Sequence, residues 1–223
     1  MTMLPPLAPA LGAAALLALA GLAAHGAATG SNPLGRYQIT IANSNPGQNF
    51  SPSVIVLHGP GYRLFELGEP AGAALWQLAE EGATAAFEAL VDPAVHAVVV
   101  APAVHRRHAP VVRIGLEAPA GLATSLAAML SLTNDGFVAA RAVALPVAIG
   151  GAVSADLRAY DVGSEANTES CAHVPCEVHG RRMTEGAEGA VAEHAGLRGD
   201  ADIPPARQWH APVLGSLTIT RLR

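Results

Sequence analysis

Lysine is absent from this chain: all thirteen basic residues are arginine, set against eighteen acidic ones for a net charge of −5. The arginines are scattered, so no basic stripe exists to follow a nucleic-acid backbone, and DNA and RNA binding are excluded as the expected function. Aromatic residues are scarce, at 4%, which leaves the core to aliphatic side chains. Cysteine occurs only at Cys171 and Cys176. Beyond the first thirty residues no apolar run of bilayer length escapes interruption by polar residues, glycine or proline. What is plentiful is glycine (23) and proline (17), a composition that suits many turns and short elements better than a bundle of long helices.

The first thirty residues differ from the rest. From Leu7 to Ala24 the chain carries no charge, the length and character of a signal-peptide hydrophobic region, and Gly26, Ala27 and Ala28 supply small residues for cleavage. The opening MTMLPP brings no Lys or Arg, a departure from the usual positive start. The organisation expected is a signal peptide over residues 1–28, a short linker over 29–35 and one domain over 36–223, secreted or periplasmic. In an exported chain the close pair Cys171 and Cys176 reads as a small disulfide loop. A Cys2His2 zinc site with His173 and His179 is the other reading, at irregular spacing.

Arg36 to Ile41 alternates and is β-branched, predicting a first strand; Val54 to His58 predicts a second, stopped by Gly59-Pro60-Gly61. One helix is expected from Pro70 to about Val91, ended by Asp92-Pro93. Ala97 to Ala101 and Val111 to Glu117 read as short strands. The Ala-rich run from Ser125 to Pro146 is ambiguous between helix and strand; Asn134-Asp135-Gly136 demands a turn in its middle, which favours two strands. From Asp156 to about Pro212 the chain is expected to be irregular, and so long a loop needs a functional or stapling reason. Val213 to Arg223 closes with an alternating strand. The expected fold class is all-β, an antiparallel β-sandwich with an inserted helix and long loops.

The chemistry concentrates between Tyr160 and Glu169, where Asp161, Ser164, Glu165, Asn167 and Glu169 crowd oxygen atoms around Gly163 without a basic residue. Such density is costly unless solvent or a hard cation offsets it, and calcium takes six to eight oxygens of this kind. The pattern is not that of an EF-hand. An acidic surface loop and a calcium loop both remain open at this point. Asp135, in the predicted turn, is brought near Asp161 if distant loops share one end of a sandwich. The histidines at 105 and 108 fall in a loop, and those at 173, 179, 194 and 210 fall in the irregular region. No HExxH, GxSxG, GxxxxGK[ST] or GxGxxG motif is present.

Several motifs in order carry a resemblance: Tyr37 to Asn43, Phe50-Ser51-Pro52, Phe65-Glu66-Leu67-Gly68, Thr133 to Val138, Tyr160 to Glu169, and Glu185 to Gly189. Together they resemble the bacterial branch of the spondin N-terminal domain family, over roughly Gly35 to Leu222. The resemblance implies an exported β-sandwich related in shape to C2 domains. It also implies one calcium ion held at the sandwich end by Asp135, Asp161 and Glu165. Glu165 is one methylene longer than the aspartate of the family motif. The function implied is noncatalytic adhesion or recognition of an extracellular or cell-surface protein, glycan or matrix ligand, with membrane-surface contact left open. The alternative is a secreted metal-dependent hydrolase using Asp135, Asp161 and a histidine such as His173.

Overall fold

The computed structural model describes residues 34–45, 47–176 and 180–223. The expected signal peptide, the linker up to residue 33, and His179 with its zinc reading lie outside the described residues. In chain order the elements are β1 (Gly35–Asn43), β2 (Ser53–His58), α1 (Ala73–Glu81), α2 (Ala85–Glu88), β3 (Val95–Ala101), β4 (Val111–Ala118), β5 (Ala123–Met129), β6 (Gly136–Ala144), β7 (Ala152–Asp161), β8 (Ala192–Glu193) and β9 (Val213–Arg221).

Alternation does what it promised at both ends of this order. Tyr37, Ile39 and Ile41 of β1 and Leu217 and Ile219 of β9 are buried on one face, and the residues between them are more exposed. The Ala-rich middle forms the two strands β5 and β6 around the Asn134-Asp135-Gly136 turn, paired antiparallel. The expected single helix is two. Gly82 takes a left-handed φ of 67° and its N–H closes the last turn of α1, an ending that glycine adopts without steric cost.

The β-sandwich expectation is corrected. The strands form one antiparallel sheet in the order β3-β2-β5-β6-β7-β9-β1-β4, with β8 attached to β7, and this sheet curls into a nearly closed eight-stranded barrel. Two sandwich sheets would need a break in this path. Instead β9 pairs with β7 on one side and β1 on the other, joining the two halves. Register shifts at Leu57/His58, Thr124/Leu126 and Leu157/Arg158 mark bulges, which increase local twist and bend the sheet toward closure. Just before β2, Phe50 extends its pairing with both neighbours, bridging to Val104 after β3 and to Leu130 after β5.

The inward side chains of all eight barrel strands meet in one core that includes Tyr37, Ile39, Ile55, Leu57, Leu126, Val138, Leu157, Leu217 and Ile219. The barrel is therefore filled with side chains. The outer face of β2, β5, β6 and β7 carries a second core, where Val54, Val56, Phe137 and Tyr160 are covered by Phe65, Leu75, Leu78 and Phe87 from the helical connection. Strand β7 runs into the region expected to be irregular from Asp156 onward, its last six residues lying there with buried Leu157 and Ala159 interleaved with more polar neighbours.

The long connection after β7 is stapled as its length demanded. Cys171 and Cys176 form a disulfide. Nearby, the buried Glu169 carboxylate accepts the backbone N–H groups of Arg198, Gly199 and Asp200 at 2.7, 2.6 and 3.0 Å.

Candidate functional site: a carboxylate pair at one end of the barrel

Asp135 ends the turn before β6 and Asp161 is the last residue of β7. The register pairs Gly136 with Asp161, so the two aspartates are neighbours because of strand pairing, across twenty-five intervening positions. Both are buried. The turn is held from within: the Thr133 hydroxyl accepts the Gly136 N–H at 3.0 Å and donates to the Leu130 carbonyl at 2.8 Å.

The oxygens of the pair are unequally satisfied. Asp135 Oδ2 accepts the backbone N–H groups of Ser164 (2.6 Å) and Glu165 (2.9 Å), and the Ser164 hydroxyl at 3.1 Å. Asp135 Oδ1 is buried and has no partner. Asp161 Oδ1 accepts the Gly163 N–H at 2.6 Å, and the Asn167 amide donates to Oδ2. Gly163 sits at φ 76°, and a Cβ there would lie 2.4 Å from the Ala190 carbonyl oxygen, so only glycine fits this turn.

Burial, and next the charge of Asp161, push the Asp135 carboxyl up to about 7. Burial also raises Asp161, against the hydrogen bonds from Asn167 and Gly163 that favour its ionised form. Two carboxylates drawn together without a compensating cation resist joint ionisation, and the strain appears on Asp135.

The expected three-carboxylate calcium set does not assemble. Glu165 is buried at the same end, but Oε1 accepts Arg182 Nε at 3.2 Å, while Oε2 accepts the Met183 N–H at 3.2 Å and the Asn134 amide at 3.4 Å. Among the described residues no group of three or more His, Cys, Asp or Glu side chains is gathered to hold a metal ion. Of the three expected residues, Asp135 and Asp161 are neighbours through strand pairing, while Glu165 lies against Arg182.

A residue missed in the sequence reading stands beside the pair. Glu80 of α1 accepts the Ser164 hydroxyl at 2.6 Å and pairs with Arg182 at 2.5 Å. Arg182 also lies over the Trp76 ring, 4.8 Å from its centroid. No sequence signal marks Glu80, since the acidic end of a surface helix is commonplace. Next to this cluster opens a cleft of about 600 Å³ whose lining includes Glu80, Met129, Ser131, Asn134, Glu165 and His173.

The histidines disperse. His173 contacts the Thr168 hydroxyl, His210 is exposed, and His194 is buried against Trp209 with Nε2 unpartnered. His58 and Ser125 lie 2.8 Å apart, Nε2 to Oγ. Ser125 Oγ also accepts the N–H of Ala142 at 2.9 Å, and Ala142 carries a left-handed φ of 50°, so this buried pair satisfies the bulge between β5 and β6.

No protein-family model matches the sequence, and no curated protein matches it, so the resemblance to spondin N-terminal domains stands on its motifs alone.

Proposed function

We propose that the chain is a noncatalytic recognition module whose Asp135 and Asp161 carboxylates take up one hard divalent cation of the calcium class. The observation that carries this reading is the buried, unpartnered Asp135 Oδ1 beside a second buried carboxylate. A buried acceptor left unmade is costly, and carboxylate oxygen is what a hard cation coordinates. Such an ion would supply charge neutralisation to the pair and brace the 161–168 turn. Glu165 and Arg182 would then border the site without ligating it, and the adjoining cleft would face a protein, glycan or matrix ligand.

The test is the melting temperature and metal content of the purified protein, dialysed with and without calcium. Cation binding to the native state raises stability by mass action, so calcium is expected to be retained and to raise the melting temperature. Asp135→Asn is expected to abolish that rise, and Glu165→Gln to keep most of it. Absence of retained calcium together with an unmoved melting temperature sinks the reading. Retention of zinc at the expense of calcium would favour the metal-dependent hydrolase instead.

A further inference from the structure

The barrel end opposite the carboxylates has a different chemistry. There β1 begins, β9 ends, β4 passes to β5 and β6 passes to β7. The two connecting loops, Pro119-Ala120-Gly121-Leu122 and Leu145-Pro146-Val147-Ala148-Ile149-Gly150-Gly151, contain no charged or hydrogen-bonding side chain. Surface loops normally carry such groups, because water must be met at both ends of a barrel.

Among the described residues, four of the five most exposed large hydrophobic side chains lie in these loops or at the chain ends beside them. Val147 (76%) and Ile149 (71%) project from the β6–β7 loop, and Leu34 (56%) and Leu222 (49%) flank the β1–β9 pair. Val91 (96%) lies in the connection that feeds β3 at the same end. The loop is held in place: Arg221 donates to the Val147 carbonyl, its carbonyl accepts the Gly150 N–H at 2.8 Å, and Leu222 N–H reaches the Arg36 carbonyl at 2.7 Å. These apolar residues are therefore displayed on a braced scaffold.

Arg36, Arg221 and Arg223 border them. Glu117 is the acidic neighbour on this side, paired with Arg223 at 2.9 Å, and Asp92 precedes β3 with its carboxylate on the Ala94 N–H at 2.7 Å. Guanidinium groups beside protruding aliphatic residues match a bilayer interface, where apolar tips enter the acyl boundary and arginines meet lipid phosphates.

We propose that this apolar, arginine-bordered barrel end docks on an anionic lipid bilayer, leaving the carboxylate end facing away from the membrane. The proposal does not depend on a cation at Asp135.

The experiment is partition of the purified full chain onto vesicles of phosphatidylcholine with and without phosphatidylglycerol, followed by flotation. Binding is expected to be stronger on the anionic vesicles and to weaken with salt. The double variant Val147→Asp/Ile149→Asp is expected to lower partition by about tenfold or more, with its melting temperature unchanged because both side chains are exposed. Since the leader segment can itself enter lipid, a local readout is added. The indole introduced by Ile149→Trp should be quenched by brominated phosphatidylglycerol. Partition unaffected by the double variant, or an indole that brominated lipid does not quench, overturns the proposal. So does a dimer in solution that the double variant dissociates, which would make a second copy of the chain the occupant.

Discussion

Asp135 and His194 lie against the same turn, since a Cβ on Gly136 would sit 3.0 Å from the His194 ring, yet they oppose one another in pH dependence. The Asp135 carboxyl is pushed up to about 7 by burial and by Asp161. The folded chain then holds a proton that the unfolded chain has lost, so this contribution is complete below about pH 4 and disappears as pH rises through about 7. Burial pushes His194 down to about 4, with Glu169 opposing the shift and Arg198 adding to it. Its contribution is complete above about pH 6.5 and is lost as pH falls toward 4. The two windows overlap and offset each other in the cation-free protein. His194→Gln is therefore expected to leave a melting temperature that rises as pH drops from about 7 to about 5, and Asp135→Asn one that falls over that interval. Variants that both keep the wild-type profile would show that neither group titrates there.

The decisive element is the connection from Val162 to Pro212. It has little regular structure, so its stability rests on a few clamps. Three backbone N–H groups converge on the buried Glu169 carboxylate, and Glu169 itself holds a φ of 52°. Removing that buried acceptor takes the partner from three part-buried backbone N–H groups at once. Glu169→Ala is expected to cost about 3 kcal/mol or more, each hydrogen bond to a charged group being worth about 1.5–3 kcal/mol. Opening the short disulfide loop by Cys171→Ser/Cys176→Ser should cost about 2 kcal/mol at most, by loop entropy. Urea unfolding of the two variants ranks them, and the reverse order would make the disulfide the principal clamp. An internal clamp of this kind leaves no mark in sequence, because Glu169 and the turn it holds are about thirty residues apart.

At the scale of the molecule, the barrel depends on its last strand. β9 is hydrogen-bonded along both edges, to β7 and to β1, and its Leu214, Leu217 and Ile219 are fully buried. Ending the chain after Pro212 would unpair both neighbours and open the core from side to side. That truncation is expected to abolish cooperative unfolding and the near-ultraviolet circular dichroism of the native state. A truncated chain that still melts cooperatively would mean that the remaining strands close without β9. The same topology gives the molecule two unlike ends, one carrying the buried carboxylates and the other the apolar loops.

Much of this was legible in the residues. The alternation of β1 and β9 named their inward faces, the Asn134-Asp135-Gly136 turn split the Ala-rich run into two strands, and the short cysteine spacing announced the disulfide. Asp135 and Asp161 stood out because oxygen-rich side chains without nearby base ask for an explanation. Strand β7 was missed because its inward positions are mostly alanine and valine, between aspartate, serine and arginine, a weak alternation beside the acidic loop. Periodicity states which face of a strand is apolar, but it is silent about which strand lies alongside. Only the tertiary structure, through the placement of β9 between β7 and β1 and the bulges that curl the sheet, decided for a barrel over a sandwich. It also turned Glu165 toward Arg182, brought Glu80 to the site, left Asp135 Oδ1 without a partner and gathered the exposed hydrophobic residues at the far end. Each of those outcomes depends on contacts between residues distant in the chain, and a local pattern carries no record of them.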